Sequence, residues 1–370
     1  MITEQIRQLA ALGGSDDAFV SFYLDTTRGD EGQEGRLRLY LKDELKRVRD
    51  ELSVNGHKRE VERATLQIEE YVAKSLDPST RGLAMFCCPA QEFFVPIELP
   101  VPLTPHVSIG NRPHLKPLAQ LRQEYPPAAL VMVDAKYARI FELAFGRILY
   151  EIDLEHPETP RSHDQGGWSQ ANMQRHVRDH IDRHHKEVAE VLARMIDSER
   201  FPCVIISGQE RNLANFRGFL PKRVEDRVIG TLHLDIRSEQ SEITEACLTL
   251  IRQHQVRTRG ERLVSLEEAG RKKERGALGP ESVTAAANMR SILHLFLHTD
   301  AVLAGWQCTS CSTIGHQVPL SCPACGRSVR SVDLGEELIA AAETEGAQVE
   351  LVPGPSSLLN YEGVGALLRF

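Results

Sequence analysis

The sequence lacks any long hydrophobic stretch. None of its apolar runs approaches the roughly 20 consecutive residues that a membrane-spanning helix needs. The segment from Met1 to Leu12 includes Glu4 and Arg7 and has no extended apolar core, so it does not have the pattern of a secretory signal. With 41% hydrophobic and 26% charged residues, the composition is typical of a soluble globular protein. We therefore expect a cytoplasmic protein without a membrane partner.

The sequence also lacks a surplus of basic residues, internal repeats and low-complexity tracts. A formal net charge of −8 argues against a protein that binds nucleic acid over most of its surface. The acidic excess lies in residues 1–125 and 276–370, whereas residues 126–275 are charge-balanced and contain most of the histidines. If the chain contacts RNA, this middle third is the favoured place, although an ordinary solvated surface is balanced in the same way.

The eight cysteines fall into two classes. Cys87, Cys88, Cys203 and Cys247 are scattered and indicate buried thiols, whereas the other four form two CxxC pairs separated by ten residues. Each CxxC is a tight turn that directs two thiolates to one point. Four thiolates complete a tetrahedral Zn²⁺ site at about 2.3 Å without an open position, which indicates a structural metal. The alternatives are redox dithiols or unligated thiols, and His316 could replace a ligand. The predicted metal ligands are Cys308, Cys311, Cys322 and Cys325.

The hydrophobic pattern of the first third predicts strands and helices in mixed order. Phe19 to Asp25 is rich in aromatic and β-branched residues and indicates a strand. Amphipathic helices are predicted near 34–53 and 58–76, and strands near 82–88 and 92–97. Several prolines between 100 and 117 indicate a stretch without regular structure.

The rest of the chain alternates strands and helices, which favours an α/β sheet domain after the boundary at Pro126-Pro127. The charged segment from Gly260 to Gly279 indicates an exposed linker, or the end of a helix that enters one. The predicted fold class is mixed α/β (α+β), with domains at 1–125, 126–270 and 275–370 and a zinc ribbon at 306–327. The elements predicted after Pro127 are strands at 128–134, 138–143, 147–154 and 202–207, a helix at 171–197, and then a helix (281–290), a strand (292–297), a helix (333–345) and strands at 348–352 and 364–369.

A diglycine precedes the long predicted helix of the middle domain. Gly166 and Gly167 lie in a polar loop, where glycine lets the backbone take positive φ and approach a ligand closely. Gln170 follows at the start of the helix, where free backbone N–H groups and the helix dipole favour anions. A Gly-Gly pair before a helix is often only a turn, and Trp168 could stack on a base or simply pack.

Histidines and arginines follow this loop. His176, His180 and His184 recur every four residues and would form one stripe of the helix. Together with neighbouring basic residues, the stripe could hold an RNA end by its phosphates. A solvated face is the alternative, and a metal site is less favoured because no further ligand is evident. The predicted RNA-binding residues are Trp168, Ser169, Arg175, His176, Arg178, His180 and Arg183.

These features resemble the archaeo-eukaryotic peptide-chain release factor superfamily, particularly its bacterial branch, which is related to Pelota-like and Vms-type rescue proteins. The resemblance rests on Gly166-Gly167-Trp168-Ser169-Gln170 with the helix behind it, on Gly305 to Cys311, and on the closing Tyr361 to Phe370. Phe19 to Thr26 and Arg112 to Leu115 resemble the first domain of the bacterial branch.

The resemblance implies a three-domain protein whose central α/β domain carries a protruding Gly-Gly-x-x-Gln loop. The C-terminal α/β domain would resemble the kink-turn-binding ribosomal proteins and bear the zinc ribbon. The implied function is hydrolysis of the peptidyl-tRNA ester on stalled ribosomes, in termination or rescue. Gly166 and Gly167 would shape the loop, and Gln170 would orient the nucleophile, so positioning and backbone hydrogen bonds would carry the rate.

Two departures from the family pattern leave alternatives open. Trp168 and Ser169 delay the glutamine by two positions, whereas Vms-type proteins delay it by one and can promote tRNA cleavage near the 3′ CCA end. No Asn-Ile-Lys-Ser codon-reading motif is present, so rescue fits better than ordinary termination. The expected partners are the ribosome and peptidyl-tRNA, with a translational GTPase as a further candidate. A non-catalytic ribosome-binding module is the other alternative.

Overall fold

A computed structural model describes residues 2–13, 17–27, 43, 46, 58–155, 168–196, 201–272 and 274–370; for residues 58–61 and 168–174 it describes only the backbone. The chain forms two compact units, one from Met1–Gln123 with Glu261–Phe370 and one from Glu124–Gly260. The helix predicted near 34–53 lies outside the described residues, apart from Asp43 and Lys46. Within the described part of the chain, no helix has the length and apolar character of a membrane span.

The first unit begins with a four-stranded antiparallel sheet in the order β3-β2-β1-β4. Val20, Phe22 and Leu24 alternate along β1, so they share one face and pack against Ala64 and Ile68 of α2. The elements are α1 (Ile2–Ala10), β1 (Phe19–Asp25), α2 (Lys58–Lys74), β2 (Gly82–Cys88), β3 (Phe93–Leu99), β4 (His106–Gly110) and α3 (Lys116–Glu124).

The proline-rich stretch between 100 and 117 contains β4, so the prediction that it lacks regular structure is wrong. Pro105 directly precedes the strand and Pro113 follows it, so the seven residues between them all have backbone N–H groups, and five of these residues, His106–Gly110, form β4. These five residues pair with β1, from Phe19 opposite Gly110 to Tyr23 opposite His106.

The second unit is built on a five-stranded mixed sheet in the order β7-β6-β5-β8-β9. All residues of the central strand β5 are buried, and they alternate between two apolar layers. α4 covers one face, and the first part of α7 covers the other. The elements are β5 (Ala128–Val133), β6 (Tyr137–Ala144), β7 (Arg147–Glu155), α4 (Trp168–Ile196), β8 (Cys203–Ser207), α5 (Glu210–Arg217), α6 (Lys222–Glu225), β9 (Val228–Leu232) and α7 (Gln240–Arg271).

The charged segment from Gly260 to Gly279 is not an exposed linker, because α7 continues through it to Arg271. Glu267 and Arg271 form an i,i+4 ion pair of 3.0 Å, and basic residues near a helix C-terminus interact favourably with its dipole. β10 (Gly276–Leu278) follows almost at once. The run of charges is therefore the solvated end of a helix, which is the second of the two alternatives that the sequence left open.

The C-terminal part of the first unit contains two sheets. One has the order β10-β16-β11-β15, and the other, which contains the cysteine pairs, has the order β13-β12-β14. The predicted helices and strands of this part all occur, with bounds shifted by a few residues at most. The elements after β10 are α8 (Pro280–Asn288), β11 (Ile292–His298), β12 (Ala304–Cys308), β13 (Ile314–Gly315), β14 (Val329–Asp333), α9 (Leu334–Thr344), β15 (Gln348–Val352) and β16 (Val364–Leu368).

Buried carboxylates of α9 join the two ends of the chain. Glu337 receives Arg112 through two contacts of 2.7 Å. Glu336 lies 2.9 Å from the His114 ring and accepts the backbone N–H of Leu115 at 2.6 Å, at the start of α3. The mixed α/β architecture with several sheets is thus confirmed, whereas the division at 1–125, 126–270 and 275–370 stays a prediction.

Candidate functional site

The predicted catalytic loop lies at the N-terminal end of α4. Gly166 and Gly167 are outside the described residues, and α4 begins at Trp168. The backbone of Gln170 is therefore in the first helical turn, where the N–H groups have no partner within the helix. The side chains of Trp168, Ser169 and Gln170 are not described, so the roles assigned to these residues stay predictions.

The first described side chains of α4 present a basic surface. Arg175, His176, Arg178 and Arg183 are exposed, and His180 is half-buried. Between residues 175 and 186 the helix carries four basic and two acidic side chains. An exposed, cationic helix face is suited to phosphate contacts, which position a nucleic acid without reading its sequence.

The histidine stripe does not stay on the solvent side of α4. His184 is only 1% exposed, so the interpretation of His176, His180 and His184 as one solvated or RNA-contacting face is wrong at its last member. A long helix presents residues to solvent only up to the point where it packs on the sheet, and His184 lies beyond that point. Among the described side chains, no group of three or more metal ligands includes these histidines.

His185, which sequence analysis did not single out, is fully buried and hydrogen-bonded through both ring nitrogens. Its Nε2 lies 3.1 Å from the backbone oxygen of Asp134, and its Nδ1 lies 3.1 Å from Nδ2 of Asn215. An amide nitrogen only donates and a carbonyl only accepts, so the ring is neutral with its proton on Nε2. Burial lowers the pKa of His185, which favours this neutral form.

Asn215 binds α4 twice. Besides the contact with His185, its Nδ2 donates to Oδ1 of Asp182 at 2.8 Å. One amide group on α5 therefore holds two α4 residues that are three positions apart. The sequence carried a usable signal for this side of the helix, because His185, Val188, Leu192 and Ile196 follow helical spacing and are all buried. It gave no signal for Asn215 or for the carbonyl of Asp134, which are remote in sequence.

The four predicted metal ligands come together in the structure. The ligand atoms of Cys308, Cys311, Cys322 and Cys325 all lie within 4.8 Å of one another. The sulfurs of Cys308 and Cys325 are 3.4 Å apart, and those of Cys311 and Cys322 are 3.6 Å apart. A tetrahedral site with metal–sulfur bonds of about 2.3 Å has sulfur–sulfur edges of about 3.8 Å, so the group can hold one metal ion.

Each CxxC turn is closed in the same way. The N–H of Cys308 donates to the oxygen of Thr313, and the N–H of Cys322 donates to the oxygen of Arg327, both at 2.8 Å. Gly326 follows the second pair with a φ of +74°, a conformation that glycine adopts without strain. The repeated pattern means that two equivalent turns direct two sulfurs each at a common centre.

The pKa of each cysteine thiol depends on its own surroundings. The Thr313 hydroxyl, 3.1 Å from the sulfur, lowers the pKa of Cys311 to about 6. Burial raises the pKa of Cys87 and Cys247 to about 12. Although a backbone hydrogen bond from Arg327 acts in the lowering direction, the neighbouring cysteine thiols raise the pKa of Cys325 to about 12. The pKa shifts within the group therefore differ in direction, and it is the convergence of the four sulfurs that favours ligation.

His316 does not belong to the cysteine group. Its Nδ1 lies 3.1 Å from the backbone oxygen of Ala304, and its Nε2 lies 3.5 Å from Glu362. Both ring nitrogens are directed at these neighbours, and the residue is absent from the metal-capable group of the described side chains. The alternative in which His316 replaces a cysteine ligand is therefore wrong.

Comparison with solved structures gives low similarities. Dom34 of S. cerevisiae, a translation termination-like factor, shows 11% identity, with 75% of this chain and 73% of that chain covered and a TM-score of 0.44. Pelota of Archaeoglobus fulgidus shows 17% identity over 78% and 79% of the two chains, with a TM-score of 0.32. The archaeal termination factor aRF1 shows 16% identity over 100% and 97%, with a TM-score of 0.27.

The middle of the chain is similar to a known family. No curated protein sequence is significantly similar to this chain. The sequence model of Bacterial archaeo-eukaryotic release factor family 10, however, matches residues 113–252. This range includes the diglycine, Gln170 and all of α4. The resemblance recognised from the motifs is confirmed over this segment, which matches the model of a family in the bacterial branch of the archaeo-eukaryotic release factor superfamily.

Proposed function

We propose that this chain acts on the ribosome as a release-factor-like protein, and that its loop at residues 166–170 promotes hydrolysis of the peptidyl-tRNA ester. The observation that carries the proposal is the family match over residues 113–252, which spans the loop and its supporting helix. Such a protein works in the cytoplasm, with the ribosome and peptidyl-tRNA as partners. A translational GTPase is a further partner in this proposal.

In this mechanism, Gly166 and Gly167 let the backbone approach the tRNA end, and Gln170 orients the attacking hydroxyl. A water as nucleophile gives peptide release, whereas the 2′-OH of the tRNA as nucleophile gives strand cleavage near the 3′ end. Neither step needs a strong base on the protein, because holding the reactants in line supplies most of the rate. The basic surface at Arg175, Arg178 and Arg183 supports this role by contacting phosphates.

Rescue of stalled ribosomes fits the sequence better than ordinary termination. The Asn-Ile-Lys-Ser motif, with which related factors read stop codons, is absent from the sequence. Stop-codon reading would therefore need other residues, whereas rescue of a stalled ribosome needs no codon-reading motif. We expect turnover on complexes stalled without a stop codon to equal or exceed turnover on complexes that contain one.

A Gln170→Ala variant tests the catalytic assignment. Incubation with a defined nascent-chain complex, followed by separation of peptide and tRNA products on one gel, distinguishes release from tRNA cleavage. We expect a loss of at least about 100-fold in the rate of either product, because an orienting group is removed. Gln174→Ala is the matched control, since it removes the same side chain one helical turn later and is expected to keep most activity.

Wild-type rates in the Gln170→Ala variant would contradict the catalytic role of Gln170. If the wild-type protein also gives neither product but co-sediments with ribosomes, the chain is a binding module of the same family. If it neither reacts nor binds, the ribosomal function itself is wrong.

The four-cysteine group holds one structural Zn²⁺ in this proposal. The short sulfur–sulfur distances and the pair of equivalent turns support it. A four-sulfur site has no open position, so the metal stabilises the ribbon and takes no part in the reaction. Metal analysis of purified protein should give about one equivalent of zinc per chain.

The matched variants are Cys308→Ala, which removes a ligand, and Cys203→Ala, which removes a half-buried cysteine outside the group. We expect the first to lose the metal and to melt at lower temperature after the same preparation, and the second to keep the metal. Zinc-free wild-type protein, or full zinc content in Cys308→Ala, would contradict the site.

A further inference from the structure

We propose that Asn215 and His185 are positioning residues, which fix the angle of α4 and thereby set where Gln170 is delivered. The inference rests on the proposed function of the loop, but the mechanical part can be measured without any reaction. Three features of the second unit support the proposal: which part of α4 is packed, which hydrogen bonds hold it there, and how far Gln170 lies from those hydrogen bonds.

Of the side chains of α4 that the structure describes, only those in the C-terminal part are buried. From His184 to Ile196 the helix is anchored by buried side chains, including Val188, Leu192 and Ile196. From Arg175 to Arg183 every described side chain is exposed or half-buried. His185 therefore lies at the edge of the anchored part, where an elongated element pivots if nothing restrains it.

A chain of directional hydrogen bonds lies at this pivot, and we call it the clamp: it joins Asp182, Asn215, His185 and the carbonyl of Asp134. Nδ2 of Asn215 donates to both Asp182 and His185, and Nε2 of His185 donates to the carbonyl of Asp134. α4 is thereby tied to α5 on one side and to the turn between β5 and β6 on the other. Apolar packing resists separation but tolerates sliding, whereas a fork of hydrogen bonds also fixes rotation and tilt.

The distance to the loop amplifies small changes at the pivot. At 1.5 Å per residue, Gln170 lies about 22 Å along the helix from His185, so a tilt of about 10° displaces it by about 4 Å. A misplacement of about 1 Å at a reacting centre can cost about 100-fold in rate. A clamp that limits the tilt therefore acts on the rate of the reaction, through Gln170, without touching the substrate.

Among the described residues, the polar, charged and ring groups around His185 come from α4, from the end of β5 and from α5. They are Asp182 and His184 on α4, Asp134 at the end of β5, and Asn215 and the ring of Phe216 on α5, whose centroid is 5.9 Å away. Protonation would put a second N–H on Nδ1, directed at a nitrogen that also donates. The clamp therefore works only with the neutral ring and opens in acid.

The mechanical test is the segmental motion of Trp168, the first residue of α4 and one of only two tryptophans. Time-resolved fluorescence anisotropy of the wild type, corrected with a Trp168→Phe reference, gives the motion of this end. We expect Asn215→Ala to enlarge its nanosecond amplitude. Val224→Ala, which removes buried volume from the same apolar core without touching the clamp, should lose stability but leave the anisotropy unchanged.

Exchanging the hydrogen-bond donor and acceptor roles of residues 182 and 215 tests the bonding pattern itself. In the double variant Asp182→Asn with Asn215→Asp, residue 182 donates and residue 215 only accepts, so the fork closes on a protonated His185. We expect wild-type α4 to be more restrained at about pH 8 than at about pH 5.5, and the double variant to show the reverse. A role limited to general stability would not reverse the pH dependence.

Activity then links the clamp to the loop. With release activity on stalled complexes, Asn215→Ala should lower kcat by about 10-fold or more and leave KM for the ribosome complex unchanged. Unchanged anisotropy in Asn215→Ala, or an unchanged kcat despite larger motion, overturns the positioning role. If the wild type has no activity at all, the proposed function fails, whereas the anisotropy and its pH reversal still decide whether the clamp fixes α4.

Discussion

At the scale of single residues, His185 shows that the bonds of a buried side chain are not visible in the spacing of its residue type. His184 and His185 are both buried, and the two directional bonds of His185 define its protonation state. The spacing of four residues led sequence analysis to His184, because periodicity assigns a face but not a partner. The partners of His185, at Asp134 and Asn215, come from elements that a single sequence does not place next to α4.

His185 should make the second unit sensitive to acid. Burial lowers the pKa of His185 below the value of about 6.5 in an unfolded chain, so the folded state binds fewer protons just below that pH. The stabilising contribution is complete above about pH 6.5 and is lost as the pH falls toward the lowered folded-state pKa. Urea unfolding at about pH 7.5 and about pH 5 should show a smaller loss of stability in His185→Phe than in the wild type.

His176→Phe is the control for this measurement, because His176 is on the same helix and exposed. It should keep the acid sensitivity of the wild type. Equal acid sensitivity in His185→Phe and in the wild type would show that His185 does not titrate with folding.

At the scale of elements, apolar runs predicted strands well and charge predicted helices poorly. β1 has the predicted bounds, because its residues form an uninterrupted buried run between polar ends. β4 was missed since it is short, half-exposed and surrounded by prolines. α7 was not predicted as a helix, and its charged last turns left a linker and a helix end as equal alternatives. Helices that lie partly in solvent are stabilised by side-chain pairs and by the dipole, which hydrophobic patterning does not register.

α7 contains a glycine whose replacement should stabilise the helix. Gly260 lies inside α7 without a positive φ, and a Cβ built there meets nothing within 4 Å. Alanine lowers the entropy of the unfolded chain and favours helix, so Gly260→Ala should raise the free energy of unfolding by about 1 kcal/mol.

Gly276→Ala is the contrasting variant. A Cβ at Gly276 would lie 2.4 Å from the backbone nitrogen of Gly270, so this change should destabilise. Thermal unfolding measures both. A lower melting temperature in Gly260→Ala would mean that α7 is not a continuous helix through Gly260.

At the scale of the whole molecule, the first unit is built from both ends of the chain. Its joining contacts are buried ion pairs between residues 112–122 and α9, and Asp333 caps that helix by accepting the N–H of Gly335 at 2.9 Å. The sequence predicted most of the elements on each side and the grouping of the four cysteines. The segment that carries the resemblance includes Arg112, but nothing in the sequence identifies Glu337 as its partner, so the pairing could not be predicted before the fold brings the two residues together.

Removal of only one partner of the ion pair between Arg112 and Glu337 should therefore destabilise the first unit. Their side chains are 12% and 2% exposed, so Arg112→Ala leaves a buried carboxylate whose remaining hydrogen bonds among the described residues come from Gln307 and Asn111. We expect a loss of about 3 kcal/mol, because the remaining buried carboxylate has lost its counter-ion. Arg7→Ala, which breaks the exposed pair with Glu4, should cost less than about 1 kcal/mol.

Hydrogen exchange of peptides from β1 and α9 measures the effect at both ends of the chain, and both should exchange faster in Arg112→Ala alone. If Arg112→Ala affects only one of these peptides, or no more than Arg7→Ala does, the two ends do not depend on this pair for their association.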